Sequence, residues 1–145
     1  IRQEVRAKSR VALLGLAYKP DTPVVEESQA LMVAQQLAQE GFAVRVHDPQ
    51  ALGPAREILG DLVRYYPDPH RCLKKAAAVV LLTNWPLYTR LDWPALADLT
   101  APEPLLLDCW GTLKGKNLPG FRYKCVGGGA ALAHEDPIYE PAVNL

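Results

Sequence analysis

Methionine occurs once in the 145 residues, phenylalanine twice and cysteine three times. No apolar run approaches the roughly 18 residues of a membrane span, and the basic start (Arg2, Arg6, Lys8, Arg10) lacks the apolar stretch of a signal peptide. That cluster is relieved only by Glu4 and reads as a solvated helix end in preference to a binding patch. Sixteen cations balance sixteen carboxylates, which excludes a general attraction to nucleic acid or an anionic membrane. Cys72, Cys109 and Cys125 are odd in number and widely spaced. They form no CxxC pair and no ligand spacing with His47, His70 or His134. A disulfide framework and a metal centre are both excluded on that count. Cys109 and Cys125 lie in strand-like apolar runs, where a thiol behaves as a small hydrophobe. A reducing, cytoplasmic compartment is the expectation. The chain opens without methionine in what reads as the last turns of a charged helix, as a piece of something longer does.

What is present is an alternation of apolar runs and helical periodicity. Residues 11–16 read as a first strand, apolar on both faces and therefore central and parallel. A helix over about 28–40 carries Leu31, Val33, Ala34, Leu37 and Ala38 on one stripe, with Ser28 as N-cap and Gly41 as stop. Ala43–His47 is a second strand, and Asp48-Pro49 reads as cap and first residue of a helix over 50–60. Asp68-Pro69 repeats that signature before a short helix containing Cys72 to Ala76. Leu62–Tyr66 and Ala77–Leu82 are the third and fourth strands, Leu105–Leu107 with Asp108 the fifth, and Phe121–Val126 a candidate sixth. A helical region over 87–98 is expected to be interrupted near Pro94, and periodicity ends after Gly127-Gly128-Gly129.

Strands separated by helical segments imply a three-layer α/β/α, Rossmann-like open parallel sheet. The expected strand order is 3-2-1-4-5, with the switch point beside strands one and four. Three segments follow: 1–9 as helix end or linker, 10–126 as one α/β domain, and 127–145 as an irregular tail. Loops 16–27 and 83–86 are expected to face each other across the ligand crevice, with Asp108 close by. Lys19, in the loop before a helix N-terminus, is a ready partner for a phosphate or carboxylate. Pro20 biases it toward extended backbone.

Three blocks resemble the C-terminal domain of the UDP-glucose/GDP-mannose dehydrogenase family. Gly15-Leu16-Ala17-Tyr18-Lys19-Pro20-Asp21-Thr22 through Glu27-Ser28 is similar to the family's G-x-[AS]-[FY]-K-x-x-[ST]-x-D-x-R-E-S motif. Gly41–Pro49 resembles its G-x-x-V-x-x-[YH]-D-P segment. Thr83-Asn84-Trp85 to Asp92-Trp93, with Leu107-Asp108, resembles its T-x-W-x-x-[FY]-x-x-[LI]-D and later D-G-R. The resemblance implies a nucleotide-sugar-binding domain, for a UDP-sugar or a GDP-mannose type ligand. The parent would be an NAD-dependent enzyme oxidising the sugar C6 alcohol to a carboxylate through a cysteine thioester. It further implies N-terminal NAD-binding and middle domains, a homo-oligomeric full-length form, and no NAD on this domain alone. Neither the NAD fingerprint nor the catalytic-cysteine block occurs here, so this chain alone is not expected to be a dehydrogenase, and no catalytic residue is assigned.

The resemblance places Tyr18, Lys19, Asp108 and Trp110 at the substrate. Two departures stand against it: Glu26 where the family has arginine (with Val24 for its aspartate), and Asp108-Cys109-Trp110 where it has D-G-R. A Glu26 facing the ligand would oppose Lys19, at about 1 kcal/mol per unit charge pair in water and about 4 at a surface-like dielectric. Trp110 can stack or pack but cannot make an arginine's bidentate contacts. A non-catalytic binding or assembly module is therefore the alternative reading; a replacement cation in the crevice, for which Lys114, Lys116 and Arg122 are candidates, would weaken it. A free-standing dinucleotide domain is the weakest reading, since Gly15 stands alone where three glycines are required. Cys109 has no histidine or lysine placed by sequence to activate it as a nucleophile.

Overall fold

A computed structural model describes residues 1–126; the tail expected over 127–145 lies outside the described residues. Six parallel strands form one sheet in the order β3-β2-β1-β4-β5-β6. They are β1 (Arg10–Leu14), β2 (Ala43–His47), β3 (Arg64–Tyr65), β4 (Ala78–Leu81), β5 (Leu105–Asp108) and β6 (Arg122–Cys125). The 3-2-1-4-5 order holds, and the candidate sixth strand joins it, pairing parallel with β5. Helices α1 (Gln29–Gln39), α2 (Leu52–Leu59), α3 (Pro69–Leu73), α4 (Pro86–Thr89) and α5 (Trp93–Ala97) supply the connections. None is long and apolar enough to cross a membrane.

The two middle strands are buried along their length, Val11 to Leu14 and Ala78 to Leu81, as a parallel sheet covered on both faces requires. Their apolar runs were readable because no face of either strand meets water. Ser28 caps α1 by accepting from the Ala30 amide at 3.1 Å, and Leu31, Ala34 and Leu37 carry the buried stripe. Gly41, at φ +96°, closes that helix.

The helical region expected over 87–98 is interrupted near Pro94, α4 ending at Thr89 and α5 beginning at Trp93, but the proline opens the second helix and does not break the first. It sits in the first turn of α5, where its missing N–H is no loss, and Asp92 caps the turn through the Ala95 amide at 3.2 Å. The turn between α4 and α5 lets Trp93 bury fully and meet Phe121 edge-on at 5.7 Å. The third strand is shorter than its apolar pattern, with only Arg64 and Tyr65 paired to β2.

Residues 1–9 form turns, with one helical hydrogen bond from the Val5 amide to the Ile1 carbonyl at 3.0 Å. Glu4 ties this segment to the far edge of the sheet through Arg122 at 3.0 Å and through Lys124. Beneath it, on the α1 side, a cavity of about 280 Å³ is lined by Leu37, Val80, Leu82, Leu107 and Cys109 among others.

Candidate nucleotide site

The carboxyl ends of β1, β2, β4 and β5 are tied together by side chains, so the expected open crevice is largely closed. Asp48, at the end of β2, is only 3% exposed. Its Oδ2 accepts from the Leu16 and Ala17 amides at 2.7 and 2.9 Å and from the Trp85 indole at 3.3 Å. Its Oδ1 accepts from the Gln50 and Ala51 amides, both at 2.8 Å. Asp48 is thus not simply the cap of the next helix: α2 begins at Leu52, and its N-cap Ala51 makes no side-chain bond. Five donors from three loops converge on one buried carboxylate, which satisfies its lone pairs without a cation.

The loops after β1 and β4 touch instead of facing across a gap. Thr83 Oγ1 donates to the Ala17 carbonyl at 3.0 Å. A Cβ on Gly15, whose φ is +104°, would lie 2.6 Å from both the Thr83 amide nitrogen and its Cβ. Only glycine meets both demands, the left-handed backbone and the contact.

Asp108 repeats the arrangement on the other half of the sheet. It is fully buried. Oδ1 accepts from the Trp110 and Thr112 amides at 3.2 and 3.0 Å, and Oδ2 from the Leu113 amide at 2.8 Å and the Tyr123 hydroxyl at 2.6 Å. Burial is the first cause raising the Tyr123 phenol, and Asp108 the next. The carboxylate faces the loop it shapes and presents no oxygen to the surface, so Asp108, expected at the substrate, instead holds the backbone of Trp110 and its neighbours.

Trp110 is half exposed (49%), yet its indole N–H donates to the Leu82 carbonyl at 2.9 Å. Tyr18 is 56% exposed, and its amide donates to the Val24 carbonyl at 2.7 Å, closing the β1 loop on itself. Lys19 is exposed and has no ion pair among the described residues. Glu26 is exposed on the same loop, ahead of the α1 cap. Thr83 and Trp110 therefore connect the Tyr18–Lys19 loop to the 109–113 loop through the end of β4. With strands about 4.8 Å apart, β1 and β5 stand about 10 Å from each other. The loops at the two ends of that span carry the exposed Tyr18 and Lys19 on one side and the half-exposed Trp110 on the other.

Arg122, a candidate replacement cation, pairs with Glu4 and donates to the Glu103 carbonyl at 3.1 Å, which commits it to the N-terminal segment. Lys114 folds its stem toward Gly111, which a Cβ there would meet at 3.4 Å. Burial pushes the Cys109 thiol up to about 12, the opposite of what a nucleophile needs. Among the described residues no cluster of ligating side chains fits a metal.

A family model described as the UDP binding domain of the UDP-glucose/GDP-mannose dehydrogenase family matches residues 12–115. The chain belongs to this family. It is 33% identical over 123 residues to UDP-glucose 6-dehydrogenase of Rhizobium meliloti, covering 82% of this chain and 27% of that protein. It is 31% identical over 119 residues to TuaD, a UDP-glucose 6-dehydrogenase of Bacillus subtilis, covering 81% and 26%. A UDP-glucose dehydrogenase structure from Pyrobaculum islandicum superposes with TM-score 0.63 at 34% identity, over 82% of this chain and 24% of that one. The chain thus spans about a quarter of the length of these relatives. The family match covers both aspartate-tied loops and all four residues expected at the substrate.

Sequence reasoning missed Thr83 and Trp85 as the pieces that close the crevice, and Tyr123 as the partner of Asp108. The Thr83-Asn84-Trp85 block marked the place, but contacts across 66 and 37 residues are not visible in a linear pattern.

Proposed function

We propose that this chain is the C-terminal domain that holds the UDP part of a nucleotide sugar for an NAD-dependent 6-dehydrogenase of its family. Tyr18, Lys19 and Trp110 touch the ligand, and Asp108 positions Trp110. The observation that carries this reading is the pair of bonds from Thr83 to Ala17 and from Trp110 to Leu82. Together they tie the loop that carries Lys19, unpaired among the described residues, and the loop that carries the anchored, half-exposed Trp110 to the end of β4, the strand between β1 and β5. The ammonium suits a diphosphate and the indole face suits a base or ribose.

NAD does not fit over the first loop of this chain. The approach to Gly15 that a pyrophosphate would use is filled by Thr83, and a single glycine replaces the three of the dinucleotide fingerprint. This supports placing NAD, and the oxidation of the sugar C6 alcohol, in other domains of the parent enzyme, whose full-length form is read as a homo-oligomer.

Isothermal titration of the chain with UDP tests the reading. Saturable heat is expected, with Lys19→Ala weakening binding about five-fold, the scale of one partly screened charge contact. No heat at millimolar UDP, with Lys19→Ala identical to the parent, favours the alternative of a binding or assembly module that keeps the fold without the ligand. Glu26 on the site loop is the observation on that side.

A further inference from the structure

Six cationic side chains gather on the α3 side of the sheet, toward the amino ends of its strands and away from Lys19. Arg10 on β1 and Arg45 on β2 each turn Nη1 toward one acceptor, the Lys74 carbonyl, at 3.4 and 3.1 Å. Arg45 also reaches the Arg71 carbonyl at 3.3 Å, and its guanidinium lies over the Tyr66 ring at 4.8 Å. Arg45 and Arg64 are register partners on β2 and β3, so their side chains leave the same face on strands about 4.8 Å apart. Arg71 on α3 and Lys74 and Lys75 at its end are all exposed.

None of the six forms an ion pair among the described residues. The carboxylate nearest in sequence to α3, Asp68, caps that helix and pairs with His70 at 3.1 Å. Backbone carbonyls satisfy the hydrogen bonds of Arg10 and Arg45 but leave their formal charge in place. Residues 1–126 hold sixteen cations and thirteen carboxylates. Outside this cluster the balance is ten against thirteen, and Asp48 and Asp108 among the thirteen are buried, so the described surface elsewhere carries no excess of cations.

We propose that the face formed by Arg10, Arg45, Arg64, Arg71, Lys74 and Lys75 docks an acidic polypeptide segment. The cations spread over three strands and a helix end, with only Arg10 and Arg45 meeting at one acceptor, and that spread suits several carboxylates in a row better than one phosphate. A nucleic acid carries a charge about every 1.7 Å and would run past the cluster onto a surface with no excess of cations to meet it. A short acidic segment ends where the cations end. The proposal is independent of the UDP site, which lies at the opposite ends of the strands.

Fluorescence anisotropy of a short fluorescein-labelled oligoglutamate, titrated with the full chain at low salt, tests it. Saturable binding is expected, weakening about ten-fold on raising salt to about 0.3 M because these contacts are exposed and screened. Arg64→Gln with Lys75→Gln should weaken it about five-fold, and so should the independent pair Arg71→Gln with Lys74→Gln. Lys114→Gln with Lys116→Gln should leave it unchanged, and UDP titration of all three variants reports on their folding. Absence of saturable binding overturns the proposal. So does equal weakening by the Lys114/Lys116 pair, or an affinity as high for a single-stranded oligonucleotide of equal charge.

Discussion

Trp85 and Asp48, 37 residues apart, meet where the indole N–H of one donates to the buried carboxylate of the other at 3.3 Å. The same oxygen holds the Leu16 and Ala17 amides, so one side chain ties the loops that follow β1 and β4. Replacing Asp48 with asparagine keeps the shape but puts an amide N–H₂ against backbone N–H donors. A loss of about 2–4 kcal/mol is expected, read as a shift in the urea midpoint at unchanged slope. An unchanged midpoint would show that water replaces these bonds freely.

Gly15→Ala should be among the most damaging single changes in the chain. The new methyl would sit 2.6 Å from the Thr83 backbone nitrogen on a residue at φ +104°, so trimming Thr83 to alanine cannot relieve it. A loss of about 3 kcal/mol or more is expected by thermal denaturation, and the Gly15→Ala/Thr83→Ala double variant should recover little of it.

His47 gives the fold a dependence on acid. The ring is 2% exposed, with the Tyr88 hydroxyl 2.9 Å from Nδ1. Burial, the largest cause, holds its pKa below the ordinary 6.5, against the opposing pull of Asp48. The unfolded chain therefore takes up this proton first. Stability is full above about pH 6.5 and falls as pH drops from there toward the lower folded value. A urea titration series between pH 8 and 5 should show this slope, and His47→Gln should flatten it while lowering stability throughout.

Trp85 and Trp93 are buried at 5% and 2% exposure, whereas Trp110 is 49% exposed. Iodide should therefore quench mainly Trp110, and UDP should protect it from quenching. Trp110→Phe removes both the signal and the bond to Leu82 and should weaken UDP about three- to ten-fold, the scale of one hydrogen bond with stacking. Persistent quenching at saturating UDP would remove Trp110 from the site.

Glu26→Arg should strengthen UDP binding if residue 26 faces the ligand, by up to about ten-fold for a two-charge change screened at the surface. The same substitution leaves affinity unaltered if Glu26 points to solvent. Titration calorimetry of this variant alongside Lys19→Ala distinguishes the two.

The sheet was legible because its information is local. The runs at 11–14 and 78–81 are apolar on both faces, and the strand order follows from the crossovers they demand. The site was legible in part. Asp48-Pro49 and Asp68-Pro69 look identical in sequence and promise the same cap. Asp68 delivers it at the surface, accepting from the His70 amide at 2.9 Å, whereas Asp48 lies buried and is shared among three loops. Its amide donors at Leu16 and Ala17 come from more than 30 residues away, and no local pattern carries that distance. The break near Pro94 was legible, but the proline's part in it was not. A proline ends one helix or opens another depending on whether the preceding residue caps, and Asp92 does.

Four main-chain amides, those of Leu16, Ala17, Gln50 and Ala51, hang from the two oxygens of Asp48. A fluctuation that swings this one side chain outward must release all of them at the same moment. Their deuterium uptake should then run on a common clock although they belong to separate stretches of backbone, so the local breathing of two remote loops becomes a single concerted event.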